Sequence, residues 1–173
     1  MEEQQPKASK FMLNYGLILG VVSVIFGVML YTQKMHYEMS TPVIVISVLL
    51  TVVAIFLGVN AYKKANGGYL KISEALKIAV GIALVSTIIS LVYQYVLINF
   101  IEPDFMDKAI EMAKPKAMAQ NPSMTQEQWE QGVEMRKKFA WIQYPVSLIF
   151  SCIIGLVVGV ITGLILKKSK PEY

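Results

Sequence analysis

Ser86, Ser90 and Gln94 stand four residues apart, so on a helix they form one polar stripe. The stripe lies inside an apolar run, where hydroxyl and amide groups are candidates for lining a solute path. Ser47, Thr51 and Thr87 are the other polar candidates within apolar runs, with Asn99 near the end of one. Serine and threonine in such runs more commonly bond their own backbone, and a lone glutamine more commonly bridges helices. Ion-coupled pumping needs ionisable groups deep in the apolar runs, and no Asp, Glu, Arg or His lies there. A passive channel or small-solute transporter using this stripe is therefore the alternative expectation.

Other chemistry has less support. Met35, Met39, Met106, Met112, Met118, Met124 and Met135 fall outside the apolar runs, with the single histidine, His36, beside the first. Thioethers are soft ligands for Cu(I). Yet a six-residue step turns a helix by about 240°, so Met106, Met112 and Met118 point in three directions. No metal site is expected, and His36 reads as a solvated or interfacial loop residue. Cys152, the one cysteine, sits mid-run without a histidine, lysine or carboxylate beside it to activate it. Glu102, Asp104, Asp107 and Glu111 read as a solvated acidic face, and Gly67-Gly68 is too short to cradle a phosphate. We expect no catalytic residue, no cofactor and no enzyme.

The elements carrying these residues are four apolar runs, at about 11–31, 43–62, 76–101 and 145–166. About twenty helical residues cross a hydrocarbon layer ~30 Å thick. The 173-residue chain is 55% hydrophobic and only 16% charged, well below the quarter or so typical of soluble domains. Its mean hydropathy is +0.52. One four-span membrane domain, 1–173, accounts for all of this. The net charge of +4 and pI near 9.1 fit lysines anchoring span ends to membrane lipid rather than a nucleic acid partner. Lys7 and Lys10 before the first run resemble a signal peptide, but the run is long and lacks a small-x-small cleavage pattern, so an uncleaved span is expected.

Basic residues orient the chain. With the N-terminus inside, the inner segments carry Lys7, Lys10, Lys63, Lys64, Lys71, Lys77, Lys167, Lys168 and Lys170. The longer outer segments carry Lys34, Lys108, Lys114, Lys116, Arg136, Lys137 and Lys138. Basic density favours both termini in the cytoplasm.

The segment 102–144 is the one region long enough for an extramembrane element, and it reads as an outer helical hairpin. Pro103 suits a first helical position, Pro115 should kink or end that helix, and Thr125 with Gln128 makes a capping box for a second helix through about Ala140. Trp129, Val133, Met135 and Phe139 give that helix apolar faces, the candidate partner surface. Ser73-Glu74, after the Asn66-Gly67-Gly68 turn, resembles a helix N-cap.

Small residues are the strongest physical signal. Ser151, Gly155, Gly159 and Gly163 recur every four residues, and Gly16 and Gly20 make one such step in the first run. In lipid, helices associate where small residues let backbones approach. The plainest expectation is that these faces pack spans one and four together. A homo-oligomer through 155–163 and a pore-lining face are the alternatives.

The order of several motifs resembles a known family. They are Asn14-Tyr15-Gly16-Leu17-Ile18-Leu19-Gly20, then Gly67-Gly68-Tyr69 leading to Glu74-Ala75-Leu76-Lys77, then Asn99-Phe100-Ile101-Glu102-Pro103-Asp104-Phe105, and a glycine-rich last span ending in Lys167-Lys168. Together they are similar to a bacterial family of small four-span proteins catalogued as a domain of unknown function. That resemblance implies a bacterial inner membrane and carries over no site residue. The expected fold is an all-α integral membrane four-helix bundle with an extramembrane hairpin. The expected role is non-enzymatic, structural or accessory to a membrane complex, with a membrane-protein partner or a second copy.

Overall fold

The structure, a computed structural model, describes residues 6–37 and 40–169. Met39 and Lys170, a thioether and an inner lysine in the sequence reading, lie outside the described residues. The fold is all-α. Helix α1 is Ala8–Thr32, α2 Thr41–Ala65, and α3 Ile72–Val96, which continues as one π-helical turn, Leu97–Ile101. Helices α4 (Phe105–Gln120) and α5 (Gln126–Lys138) form the insertion, and a short 3₁₀ turn, Ala140–Ile142, leads into α6, Gln143–Leu166. Four helices are long and apolar enough to cross a membrane: Ala8–Thr32, Thr41–Ala65, Ile72–Ile101 and Ala140–Leu166. This is a multi-pass membrane protein.

Each span runs up to about a turn beyond its apolar run, because a helix satisfies its backbone internally even where its side chains meet headgroups. Helix α3 starts at Ile72, with Lys71 rather than Ser73 as the cap. Glu74 explains the shift: its Oε2 accepts the Lys71 backbone N–H at 2.8 Å, so the carboxylate caps from the third helical position. Pro103 lies in a turn ahead of α4, whose first residue is Phe105. Pro115 neither ends nor breaks α4, which runs on to Gln120. Both Pro115 and Glu111 are exposed, so the carbonyl that proline leaves unpaired can be solvated. Helix α5 opens on the expected box: Thr125 Oγ1 accepts the Gln128 N–H at 3.2 Å, and Gln128 Oε1 accepts the Thr125 N–H at 3.0 Å. It ends at Lys138, two residues short of Ala140, where Phe139 and the 3₁₀ turn redirect the chain into α6.

Helix α3 is the centre of the bundle. Helices α1 and α6 flank it, and α2 packs on all three. Spans one and four therefore do not pack on each other through their small residues; both close on α3. A Cβ added at Gly159 would lie 2.8 Å from Ala79 Cβ, one at Gly155 2.8 Å from Val80 Cα, and one at Gly163 3.1 Å from Ala75 Cβ. The partner of the glycine face is thus Ala75, Ala79 and Ala83, a second small-residue stripe at the same spacing. Gly16 and Gly20 meet Val85 and Ile89. These faces are filled within one chain, which removes the pore-lining reading and leaves the 155–163 face covered against a second copy.

The densest packing lies toward the end of the bundle that carries the α2–α3 turn. Ile55, Val59, Tyr62, Leu70, Ala75, Ile78, Ala79 and Ile82 are buried together there, with Val158 and Leu19. Phe11 packs edge-on against Tyr62, so the start of α1 lies at this end too. Leu70 and Lys168 exchange two backbone hydrogen bonds, 2.9 and 3.1 Å, which tie the segment after α6 to the turn. Gly67 and Gly68 make that turn with φ of +66° and +82°, conformations that favour glycine. Helices α4 and α5 stand at the opposite end.

Candidate functional site

The site is at the hairpin end, where three segments meet on Glu102. The π turn closes with the Glu102 N–H donating to Leu97 O at 2.7 Å, which sets the residue just past the last apolar turn of α3. The α1–α2 loop reaches it by a tight bend at Lys34, whose φ is 57°. The Glu102 side chain is 8% exposed, and its Oε2 lies 2.8 Å from His36 Nε2. Its Oε1 accepts the Tyr37 hydroxyl in a short hydrogen bond and the Lys108 ammonium at 2.9 Å. Lys108, one turn into α4, also reaches Asp104 at 3.2 Å. Around the carboxylate, Phe105 stacks on Tyr37 with ring centroids 5.7 Å apart, and His36 lies 4.0 Å from Tyr37 and 4.9 Å from Tyr31.

The electrostatics follow from these contacts. The Tyr37 hydrogen bond, then those from Lys108 and His36, outweigh burial and hold the Glu102 carboxyl down at about 2. The same bond pushes the Tyr37 hydroxyl up. Lys108 is pushed up by its bonds to Glu102 and Asp104. If Nε2 carries the proton toward Glu102, Nδ1 is left as an acceptor, and that atom is buried without a partner. A carboxylate held this low and saturated by three donors is a poor general base. It is well suited to pinning three chain segments together.

His36 and Glu102 are thus not the solvated residues expected from sequence: both side chains are at least nine-tenths buried. Their common topology was the available signal. The first loop and the end of the third span must emerge on one side, and each carries titratable residues. Lys108 and Asp104 join the cluster, while Asp107 pairs instead with Lys137 of α5 at 2.5 Å.

The remaining sequence candidates disperse. Ser86 donates to Ala83 O and Ser90 to Ser86 O, each within α3. Of the stripe, Ser86 lines a cleft of about 560 Å³ among α2, α3 and α6, and Ser90 and Gln94 are not part of its lining. Among the thioethers outside the spans, Met35 and Met112 share a small pocket with Lys34, whose positive charge disfavours a cation there. Among the described residues no group of three His, Cys, Asp or Glu side chains is placed to hold a metal. Trp129 and Val133 turn toward Ile110 of α4 across a cleft of about 230 Å³. Met135 and Phe139 point away, 62% and 45% exposed.

A model of a protein family described as "Protein of unknown function (DUF4199)" matches residues 14–168. The chain belongs to this family. The match takes in the first span from Asn14 on, the other three spans and the hairpin, so the Glu102 cluster and the glycine seam both lie within the DUF4199 domain. Comparison with curated proteins and with solved structures returns no match.

Proposed function

We propose that this protein is a non-enzymatic, structural or accessory subunit of a membrane complex, which it joins through its hairpin. The observation that carries this reading is the Glu102 cluster. It fixes α4 to the bundle, while α5 has no buried residue and so presents a firmly based but uncommitted surface. Met135 and Phe139, interleaved with Arg136 and Lys138, suit an apolar patch with an acidic rim on a neighbouring membrane protein. Trp141, 63% exposed where the chain enters α6, suits the lipid interface.

The proposed location is a bacterial inner membrane, with both termini in the cytoplasm. Lys63, Lys64, Lys167 and Lys168 gather at the end bearing the termini, in keeping with the positive-inside rule. The alternative, a passive solute path on α3, has Ser86 at a cleft in its favour and nothing continuous beyond it.

The deciding experiment extracts the protein with its native lipid in membrane discs and weighs the intact assembly. A reproducible extra protein mass, lost on Met135→Glu with Phe139→Glu, is the expected result. A bare monomer or homo-oligomer overturns the reading. Solute flux in proteoliposomes, abolished by Gln94→Leu, would support the alternative.

A further inference from the structure

The bundle has two lateral grooves of similar size on different sides of α3, and their chemistry differs. One, about 440 Å³ between α1 and α6, is lined by Met12, Val80, Leu84, Leu156 and other apolar residues, with Lys77 its one polar side chain. The other, the cleft of about 560 Å³ among α2, α3 and α6, gathers six hydroxyls: Ser47, Thr51, Ser86, Thr87, Ser147 and Ser151. Phe150 and Ile154 line its apolar wall. The cleft runs from the hairpin end of α2 and α6 toward mid-span, and it is open on one side.

Five of the six hydroxyls have already placed their protons. Ser47 donates to Val43 O, Thr51 to Ser47 O, Ser86 to Ala83 O, Ser147 to Gln143 O and Ser151 to Leu148 O, all at 2.7–2.9 Å. Each leaves an oxygen able to accept one further bond. Thr87 has no hydrogen-bond partner among the described residues, so it can also donate. Ser86 and Ser151, from facing helices, are 7% and 9% exposed. The cleft thus offers two buried acceptors, Ser86 and Ser151, and one donor within an otherwise apolar wall, in a part of the chain surrounded by hydrocarbon. A buried acceptor gains from meeting a donor there, where water is scarce.

We propose that this cleft binds a long-chain amphiphile carrying a hydroxyl group, drawn from the adjoining leaflet. Its hydroxyl donates its one proton to the Ser86 or the Ser151 oxygen and accepts from Thr87, while its chain lies along Phe150 and Ile154. The all-apolar groove is the built-in control, since it presents the same lipid with space but no acceptors.

The test uses the full chain in lipid discs with two photoreactive probes of equal length, a long-chain alcohol and its methyl ether, and maps the labelled peptides. The alcohol should label segments 83–87 and 147–154 saturably, and unlabelled alcohol should compete. The ether should label them about two- to tenfold less, the range expected when one neutral hydrogen bond is lost. Ser86→Ala with Ser151→Ala should erase that difference, with thermal unfolding of the variant confirming that it folds. If the variant does not fold, the comparison of probes on the unaltered chain decides alone. Equal labelling by both probes, equal labelling of the Met12–Leu156 groove by the alcohol, or no saturable labelling of the cleft overturns the proposal.

Discussion

The two ends of this bundle are fastened by different means. At the end bearing the termini, the tie is backbone to backbone: Leu70 and Lys168 exchange amide hydrogen bonds over a turn of two left-handed glycines, above the densest part of the core. At the hairpin end the tie is one side chain, Glu102, held by Tyr37, His36 and Lys108. A backbone tie is indifferent to most substitutions and has no titrating group. A carboxylate tie can be removed by one mutation or one proton. The hairpin, whose helix α5 has no buried residue, hangs on the fastening that conditions can loosen.

The seam shared by both ends should show the largest effect. Gly159→Leu forces side-chain atoms into Ala79 and Leu76 and should cost about 3 kcal/mol, the upper range for overpacking. Thermal unfolding in detergent should show α6 detaching and both ends failing together. Loss of only one end would mean the ends are independent of the seam.

Glu102→Gln should be next, at about 2 kcal/mol, the scale of hydrogen bonds to a charged group. Limited proteolysis should open the 102–142 segment while sparing the Leu70–Lys168 end. Equal cleavage at both ends would erase the contrast. Acid should act on the same tie. The Glu102 carboxyl sits at about 2 in the fold against an ordinary 4.5, so its contribution is complete above pH 4.5 and is lost as pH falls from there through about 2. Trp129 and Trp141 fluorescence should report that loss, and Glu102→Gln should lack it.

Tyr37→Phe removes one of three donors and should destabilise the hairpin end less than Glu102→Gln does, shifting the acid transition upward because the largest influence lowering the carboxyl is gone. Lys168→Ala should change unfolding by no more than about 0.5 kcal/mol, since its backbone makes the tie and only a cation–π contact with Tyr69 is lost. A larger loss would make that end a side-chain tie as well.

The spans were legible in the sequence because a charge-free run of this length has few other uses. The capping box of α5 was legible because its residues are three apart. What escaped needs residues far apart to be placed side by side. Gly155, Gly159 and Gly163 announced a close contact, but the partner stripe of Ala75, Ala79 and Ala83 is ordinary in composition. Spans one and four looked paired because both carried glycine. Ser47, Thr51, Ser86 and Thr87 were each visible as polar residues in apolar runs. Their convergence with Ser147 and Ser151 depends on how three helices rotate about their axes, which a single chain does not display. The π turn that positions Glu102 leaves no composition signal, and Pro115 argued locally for a break that an exposed helix face tolerates.

The pairing of Leu70 with Lys168 also sets an order of events during synthesis. Helices α1, α2 and α3 emerge and can associate early, but the alanine stripe of α3 has no cover until α6 has entered the membrane. Its closing hydrogen bonds join residues almost a hundred positions apart in sequence and wait for the segment after α6 to be made. A half-made chain therefore presents to the lipid, or to whatever insertion machinery holds it, the surface that the finished protein hides. Premature termination within α6 should leave a product that is inserted but unsealed, marked for quality control by that open seam.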